Sequence, residues 1–441
     1  MAAPTKPTFR QALAFWFKLG FISFGGPAGQ IAIMHDYLVD KKKWVSNSRF
    51  VHALNYCMVL PGPEAQQLSI YMGWLLNGTL GGLAAGILFV LPSAFILTGL
   101  SIVYVIYGKL PWVYALFDGL KPAVVAIVIV ALIKISRRSL STPVHYIFAL
   151  LSFVCIFFFN IPFPAIIIAA FITGYFAQKV FSGYFDDKKE SRNKLIIEDE
   201  YYINANTVKA EYGFNWKRLT GQAINALVIW CLPLVALYFF MPDFGFWKSM
   251  VFFFTKAALV TFGGAYAVLP YVAQVSVEKL RWLTKLQMID GLALGETTPG
   301  PLIMVLTFVG FMASYNHSGS ICLACLGLAV TAFYTFMPCF FYVFAGAPII
   351  EKAQSNPAIK NLLSFVTAAV AGVILNLTVY FGIAVVLPKG WDLHSINYAN
   401  LIWIAVSFIA LYRFKIKMLM WIAISALAGL GYWWATNYYL R

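Results

Sequence analysis

Ser23-Phe24-Gly25-Gly26, followed by Pro61-Gly62-Pro63, returns later in the chain as Thr261-Phe262-Gly263-Gly264 followed by Pro299-Gly300-Pro301. The offset is 238 residues for both elements, from 23 to 261 and from 61 to 299. Lys18 and Lys256 keep that offset, and so do Trp44 and Trp282. An ordered series at one spacing marks a duplicated unit. Further on the offset becomes 246, carried by Pro92 and Pro338, Ala123 and Ala369, and Val124 and Val370. The second copy therefore holds an insertion after its Pro-Gly-Pro.

Both copies lie in strongly apolar sequence. The 441 residues are 61% hydrophobic and 11% charged, with a mean hydropathy of +0.77; a soluble domain carries roughly 25% charged residues. Apolar runs lie at about 11–34, 50–76, 79–107, 111–134, 144–159 and 162–180. Seven more lie at about 221–241, 248–275, 286–313, 318–346, 362–387, 399–412 and 416–438. Runs near 20 residues are long enough to cross a bilayer core of about 30 Å. They predict an all-α polytopic membrane protein with about 13 spans. The runs are continuous rather than alternating, which excludes a β-barrel. Residues 181–218 hold the densest charge, including Asp186-Asp187-Lys188-Lys189-Glu190, and read as a soluble linker. The organisation expected is a repeat over 1–180, the linker over 181–218 and a second repeat with one extra span over 219–441.

Lys and Arg number 32 against 17 Asp and Glu. Basic loops orient a membrane protein with their charge inside, and no soluble basic patch with interleaved aromatics points to nucleic acid. With the N-terminus inside, Lys134, Arg137 and Arg138, the linker, Lys279, Arg281 and Lys285, and Arg413, Lys415 and Lys417 all fall inside. The extra span at 221–241 makes the second repeat enter from the opposite face, so the halves are expected as inverted repeats. Lys41-Lys42-Lys43 and Arg49 disagree with this count unless a motif-bearing segment is re-entrant. The six cysteines lie in or beside apolar runs and read as packing residues. Residues 1–10 are polar, and no cleavable signal peptide is expected.

Gly-Gly and Pro-Gly-Pro break helices and free backbone groups, which are tolerated in a membrane only where protein or water satisfies them. A broken helix presents its N-terminal N–H groups and the positive end of its dipole, which suit an anion. The simpler reading is close helix packing and kinking; four breaks in matched pairs favour a binding site. The substrate-binding candidates are Lys18, Ser23, Gly25, Gly26, Pro61, Gly62, Pro63, Gln66, Gln67, Lys256, Thr261, Gly263, Gly264, Thr298, Pro299, Gly300 and Pro301. Lys18 and Lys256 could balance a dianion's charge, or snorkel to the headgroups. The hydroxyls and amides could donate to its oxygens. Glu64 and Glu296 are the proton-coupling candidates; the alternative for each is a helix cap or a bond to freed backbone donors. No GxxxxGK[ST], GxGxxG, Ser/His/Asp or metal-ligand constellation occurs, so no cofactor or metal is expected.

Three runs closely resemble the chromate ion transporter family: Phe24-Gly25-Gly26-Pro27-Ala28-Gly29-Gln30-Ile31-Ala32, Leu60-Pro61-Gly62-Pro63-Glu64-Ala65-Gln66-Gln67-Leu68 and Tyr71-Met72-Gly73-Trp74. The second half is similar through Thr261-Phe262-Gly263-Gly264-Ala265-Tyr266-Ala267-Val268-Leu269-Pro270 and Thr298-Pro299-Gly300-Pro301. The resemblance implies a two-domain, long-chain member in a bacterial inner membrane that exports chromate and confers chromate resistance. It implies coupling to protons or to exchange with another anion. The expected partners are chromate or a sulfate-like oxyanion, the lipid bilayer and a second copy of the chain. The competing readings are a sulfate importer or exchanger on the same scaffold, an anion channel, and a membrane reductase, for which no redox-cofactor motif is present.

Overall fold

The computed structural model describes residues 6–24, 26–180, 200–204, 215–262, 264–350, 357–388, 394 and 396–439. Gly25, Gly263 and most of the expected linker lie outside the described residues. Among these residues every element is helical apart from one isolated bridge, Val45 with Ile203. Up to residue 180 the helices are α1 (Phe9–Ile22), α2 (Gly26–His35), α3 (Asn47–Cys57), α4 (Glu64–Tyr107), α5 (Pro111–Ser139), α6 (Pro143–Phe159) and α7 (Phe163–Val180). Next come α8 (Trp216–Phe240), α9 (Phe244–Leu259), α10 (Ala265–Ala273), α11 (Lys285–Thr297) and α12 (Val305–Ser318). The chain ends with α13 (Ile321–Ile350), α14 (Pro357–Val386), α15 (Tyr398–Tyr412) and α16 (Met418–Tyr439). Among the described residues six helices are long and apolar enough to cross a membrane, and four shorter helices are apolar as well. The protein is a multi-pass membrane protein.

The duplication holds at the level of single residues. A π-helical turn extends α2 over Asp36–Lys41 and another extends α10 over Gln274–Lys279. Lys43 and Arg281, at the same offset, both take φ of 51°. Trp44 donates its N–H to Leu38 O and Trp282 to Ser276 O, each at 2.8 Å.

The apolar runs at 11–34, 50–76, 248–275 and 286–313 are each divided into two short helical pieces. Ten residues of helix, as in α2, rise about 15 Å, half of the bilayer core. The chain reverses at each break. Phe15 of α1 stacks on Tyr37 beyond α2 with ring centroids 4.0 Å apart, a contact that a straight continuation would forbid. Phe253 of α9 meets Tyr271 of α10 at 5.6 Å. Tyr56 of α3 meets Tyr71 of α4 at 5.7 Å, and Gly291 and Gly295 of α11 lie against Phe308 and Val305 on the far side of their break. The physical reason is the glycine and proline at the tips, which remove the helical bond ladder and admit left-handed backbone.

α4 also doubles back, at Asn77-Gly78, where the backbone leaves helical geometry. Gly73 then abuts Gly81, and Ile70 abuts Gly86. The second arm of α4 runs antiparallel to its equivalent α13, with Gly82 against Phe344 and Gly86 against Phe340. The last helices are exchanged between repeats. α6 and α7 pack on α14, α15 and α16 pack on α5, and α5 packs on α14.

One end of the bundle gathers the turn after α2 and the chain before α8. Ser46 donates its N–H to Ile203 O at 2.8 Å, Ile203 returns one to Trp44 O at 3.0 Å, and Lys43 pairs with Glu200. Pro7 lies at this end too, its carbonyl accepting from Asn77 Nδ2 at 3.5 Å. The opposite end carries the turn between α10 and α11, where Asn316 Nδ2 donates to Trp282 O at 2.8 Å and His317 meets Asp243 at 2.8 Å.

Candidate functional site

Four hairpin tips meet inside the bundle, and they are tied across the repeats. Gly62 donates its N–H to Thr261 O at 2.7 Å, and Gly300 donates to Ser23 O at 2.8 Å. These bonds are equivalent under the 238-residue offset. The tip glycines also face equivalent side chains under the offset of 246. A Cβ on Gly62 would stand 2.8 Å from Cys339 Sγ, and one on Gly300 would stand 2.9 Å from Ser93 Cβ. Both glycines need positive φ, +125° and +93°.

The helix ends differ in their caps. Several ends away from the crossing carry side-chain caps, Thr8 for α1, Ser46 for α3, Thr284 for α11 and Asn397 for α15, while α5 and α6 begin there with proline in the first turn and no side-chain cap. Ends at the crossing do not. α4 begins after Pro63, α10 after Gly264 and the turn leading into α12 after Pro301, each without a side-chain cap. The four orphan N–H groups at a helix start are normally met by such side chains or by water. Here uncapped N-termini point inward, each with a fractional positive charge of roughly half a proton. α2 begins at Gly26 at the same crossing.

The polar candidates fall into groups. Gln66 is fully buried, and neither its Nε2 nor its Oε1 has a partner. Gln67 Nε2 donates to Pro61 O at 2.7 Å. The hydroxyls of Ser23, Thr261 and Thr298 donate to helix carbonyls of Leu19, Ala257 and Gly295 at 2.5, 2.6 and 2.9 Å. Among the described candidates, the donors left over in this conformation are therefore the Gln66 amide and the helix N-termini, together with the Ser93 hydroxyl. Glu296 is buried and accepts from Tyr266 Oη at 2.5 Å; Glu64 opens α4 and is half-buried. Lys18 and Lys256 lie on exposed faces of α1 and α9, away from the buried contacts between tips. Pro299 and Pro301 flank Gly300 at its tip, and Pro299 is buried.

Several residues at the crossing were not among the expected ones. Gln30, buried in α2, donates from Nε2 to Gly300 O at 2.6 Å and to Ser23 O at 3.2 Å. Its signal was an amide within an apolar helix beside Gly-Gly. Ser93, with an unpartnered buried hydroxyl, and Cys339 were marked only by following Pro92 and Pro338. Tyr266 lay within the Thr261–Pro270 run that carries the resemblance, where nothing set it apart from its neighbours.

A helical bundle whose paired broken helices meet at a buried polar crossing has the build of a membrane transporter rather than an enzyme. The chain belongs to the chromate transporter family, whose family model matches residues 10–175 and 248–430. A probable chromate transport protein of Synechococcus elongatus is 28% identical over 377 residues, spanning 85% of each chain. A chromate transport protein of Cupriavidus metallidurans is 27% identical over 431 residues, covering 97% of this chain and 94% of the relative. An uncharacterized transporter of Methanocaldococcus jannaschii is 26% identical over 434 residues, covering 97% and 96%. No solved structure matches the chain.

Proposed function

We propose that this protein is a secondary transporter that exports chromate, a tetrahedral dianion, across a bacterial inner membrane and so confers chromate resistance. The observation that carries the reading is the convergence of uncapped helix N-termini on a crossing tied by reciprocal bonds from Gly62 to Thr261 and Gly300 to Ser23. Such a site neutralises an anion without a fixed cation and leaves it free to depart. The identity of the anion is taken from the names of the relatives.

The repeats, 1–180 and 219–441 around the charged linker 181–218, are read as inverted. Support comes from the antiparallel crossing of α4's second arm with its equivalent α13. Four of the roughly 13 apolar runs then turn back inside the membrane. The crossings are α4's second arm, α5, α6 and α7, their equivalents α13 to α16, and α8 between the repeats. This arrangement puts Lys41, Lys42, Lys43 and Arg49 on the same side as the N-terminus, Arg137 and Arg413, which is the cytoplasmic side by the positive-inside rule. It moves Lys279, Arg281 and Lys285 to the outer side.

The two repeats differ in packing. α10 lies on α14 and α11 on α5, while α2 and α3 make no comparable contact with α5 and α14. Chromate would enter from the cytoplasmic side, past α2 and α3, and leave when the packing of the two repeats is exchanged. Lys18 and Lys256 flank the two approaches, one on each side. Glu64 and Glu296 carry protons beside the anion and couple its movement to the proton gradient.

The test is uptake of radiolabelled chromate into everted inner-membrane vesicles, with and without a proton gradient and with sulfate as competitor. Saturable, gradient-dependent uptake with weak sulfate competition supports the reading. Robust sulfate flux without chromate uptake keeps the oxyanion site and replaces the substrate.

A further inference from the structure

α5 carries five charged residues: Lys134, Arg137 and Arg138 toward its C-terminal end, on the side of Glu296, and Asp118 and Lys121 within its apolar first half. Lys121 is 3% exposed. Its ammonium meets Asp118 Oδ1 at 3.2 Å and lies 4.7 Å from the centre of the Tyr114 ring. Across from it, α11 presents Asp290, 5% exposed. Asp290 Oδ2 accepts from Tyr104 Oη of α4 at 2.9 Å, while Oδ1 has no hydrogen-bond partner. Lys121 and Asp290 are both buried on helices that pack together, α5 and α11, with no direct ion pair between them among the described residues. None of these groups belongs to the crossing of hairpin tips. An ionisable cluster inside a membrane is costly and persists where it serves transport.

The cluster lies where the two repeats differ. At the offset of 238 the place of Asp290 is taken by His52 of α3, and at 246 the place of Lys121 is taken by Thr367 of α14. The equivalent positions, His52 and Thr367, do not reproduce the Asp–Lys pair, nor is the packing reproduced: α11 rests on α5, whereas α3 does not comparably rest on α14. The other elements against α11 add no competing charge near Asp290. α16 has no charged residue, α12 offers Phe308, which packs on Tyr104, and its His317 is turned to Asp243. Tyr380 of α14 covers Lys285 at the start of α11, and Glu278 lies in the turn before it.

We propose that Asp290 and Lys121 form a proton-operated latch between α11 and α5, which keeps the transport path shut toward the α10–α11 end of the bundle. With Asp290 ionised, its carboxylate and Lys121 draw the second-repeat hairpin onto α5. A proton from water at that end adds to Oδ1 and cancels the attraction. Lys121 keeps Asp118 as its counter-ion, and α11 swings free. Asp118 is half-exposed, 47% at its side chain, and gives the cluster its outlet toward water. The proton leaves when the hairpin returns. A buried ion pair contributes little to stability and is well suited to a switch of this kind. The inference rests on the transporter reading and adds a gate to the proton-carrying groups beside the anion.

The experiment uses the full-length protein in membranes. Hydrogen exchange of α11, corrected for intrinsic rates, should rise in the wild type from mildly alkaline to mildly acidic pH. In Asp290→Asn it should be fast at both. In the same variant chromate-for-chromate exchange should persist while gradient-driven accumulation falls to the level seen without a gradient. Tyr104→Phe, which removes one donor and little volume, should shift the pH midpoint of α11 opening, and it serves if Asp290→Asn fails to insert. Protection of α11 that is independent of pH in the wild type overturns the latch, as does loss of exchange and accumulation together in Asp290→Asn with an unmoved midpoint in Tyr104→Phe. Opening of α11 by acid in a wild type that carries no chromate would uphold the latch and reject the substrate.

Discussion

Gly62 donates its backbone N–H to the carbonyl of Thr261 across 2.7 Å, so the tip of one repeat is held by the tip of the other. Gly300 and Ser23 repeat the arrangement at 2.8 Å. Neither repeat closes its breaks alone: side chains of the same repeat, Gln30 on Ser23 O and Gln67 on Pro61 O, share the freed carbonyls with backbone donors from the other, which is how irregular backbone is satisfied at membrane depth.

Gly62→Ala tests this crossing. The new methyl would meet Gln67 Nε2 at 2.7 Å and Cys339 Sγ at 2.8 Å, at a φ of +125°. Holding a side chain in such a conformation costs about 1–3 kcal/mol, and chromate uptake should fall about tenfold or more at that cost. Gly300→Ala should behave alike, since its methyl meets Ser93. Transport per inserted protein, normalised by immunoblot, is the measurement; wild-type rates in both would remove the crossing from the mechanism.

The reversal at the breaks predicts sidedness. Cysteines placed at Lys42 and at Asn215 should be labelled by an impermeant maleimide from the same, cytoplasmic, face. A cysteine at Lys279 should be labelled from the other. If α1 and α2 instead formed one crossing, Lys42→Cys would react from outside.

Lys18 and Lys256 are exposed on α1 and α9 and serve opposite approaches in this reading. Lys18→Gln should raise the KM for chromate in everted vesicles about fivefold, the effect of one solvated charge near an approaching dianion, and less so at high salt. Lys256→Gln should leave that KM unchanged. Equal effects from both lysines would place them together at the bound anion.

The hydrogen bond from Tyr266 to Glu296 is buried. Tyr266→Phe leaves a buried carboxyl without its donor, a loss of about 1–3 kcal/mol, and uptake should fall accordingly. Glu296→Gln should support chromate exchange and reduce its pH dependence to the part carried by Glu64 and Asp290. A pH profile identical to the wild type would assign Glu296 a purely structural role.

The doubled motifs made much of this architecture legible. The offset of 238 predicted that Ser23 and Thr261 are equivalent, and the structure uses them as equivalent acceptors. The long apolar runs gave the helices. What the runs did not reveal is direction at a break. Ser23 to Gly26 has the composition of a kinked crossing and of a hairpin tip alike, and only contacts such as Phe15 on Tyr37 separate the two. The triple lysine at 41–43 was the one local sign of reversal. Lys121 and Asp290 escaped because they lie within runs read by mean hydropathy, where two charges among many apolar residues are averaged away. Their partnership depends on α11 settling on α5, a contact between distant parts of the chain.

The exchange of α6 and α7 onto α14 bears on how the protein is made. The ribosome releases both helices long before α14 exists, so their matching surface is absent throughout synthesis of the central chain. They must wait in lipid, loosely held, until the second half inserts and offers its third long helix. Assembly is therefore completed from the C-terminal side, and a chain truncated before α14 should be recognised as unfinished by the cell's membrane proteases even though its first repeat is complete in sequence.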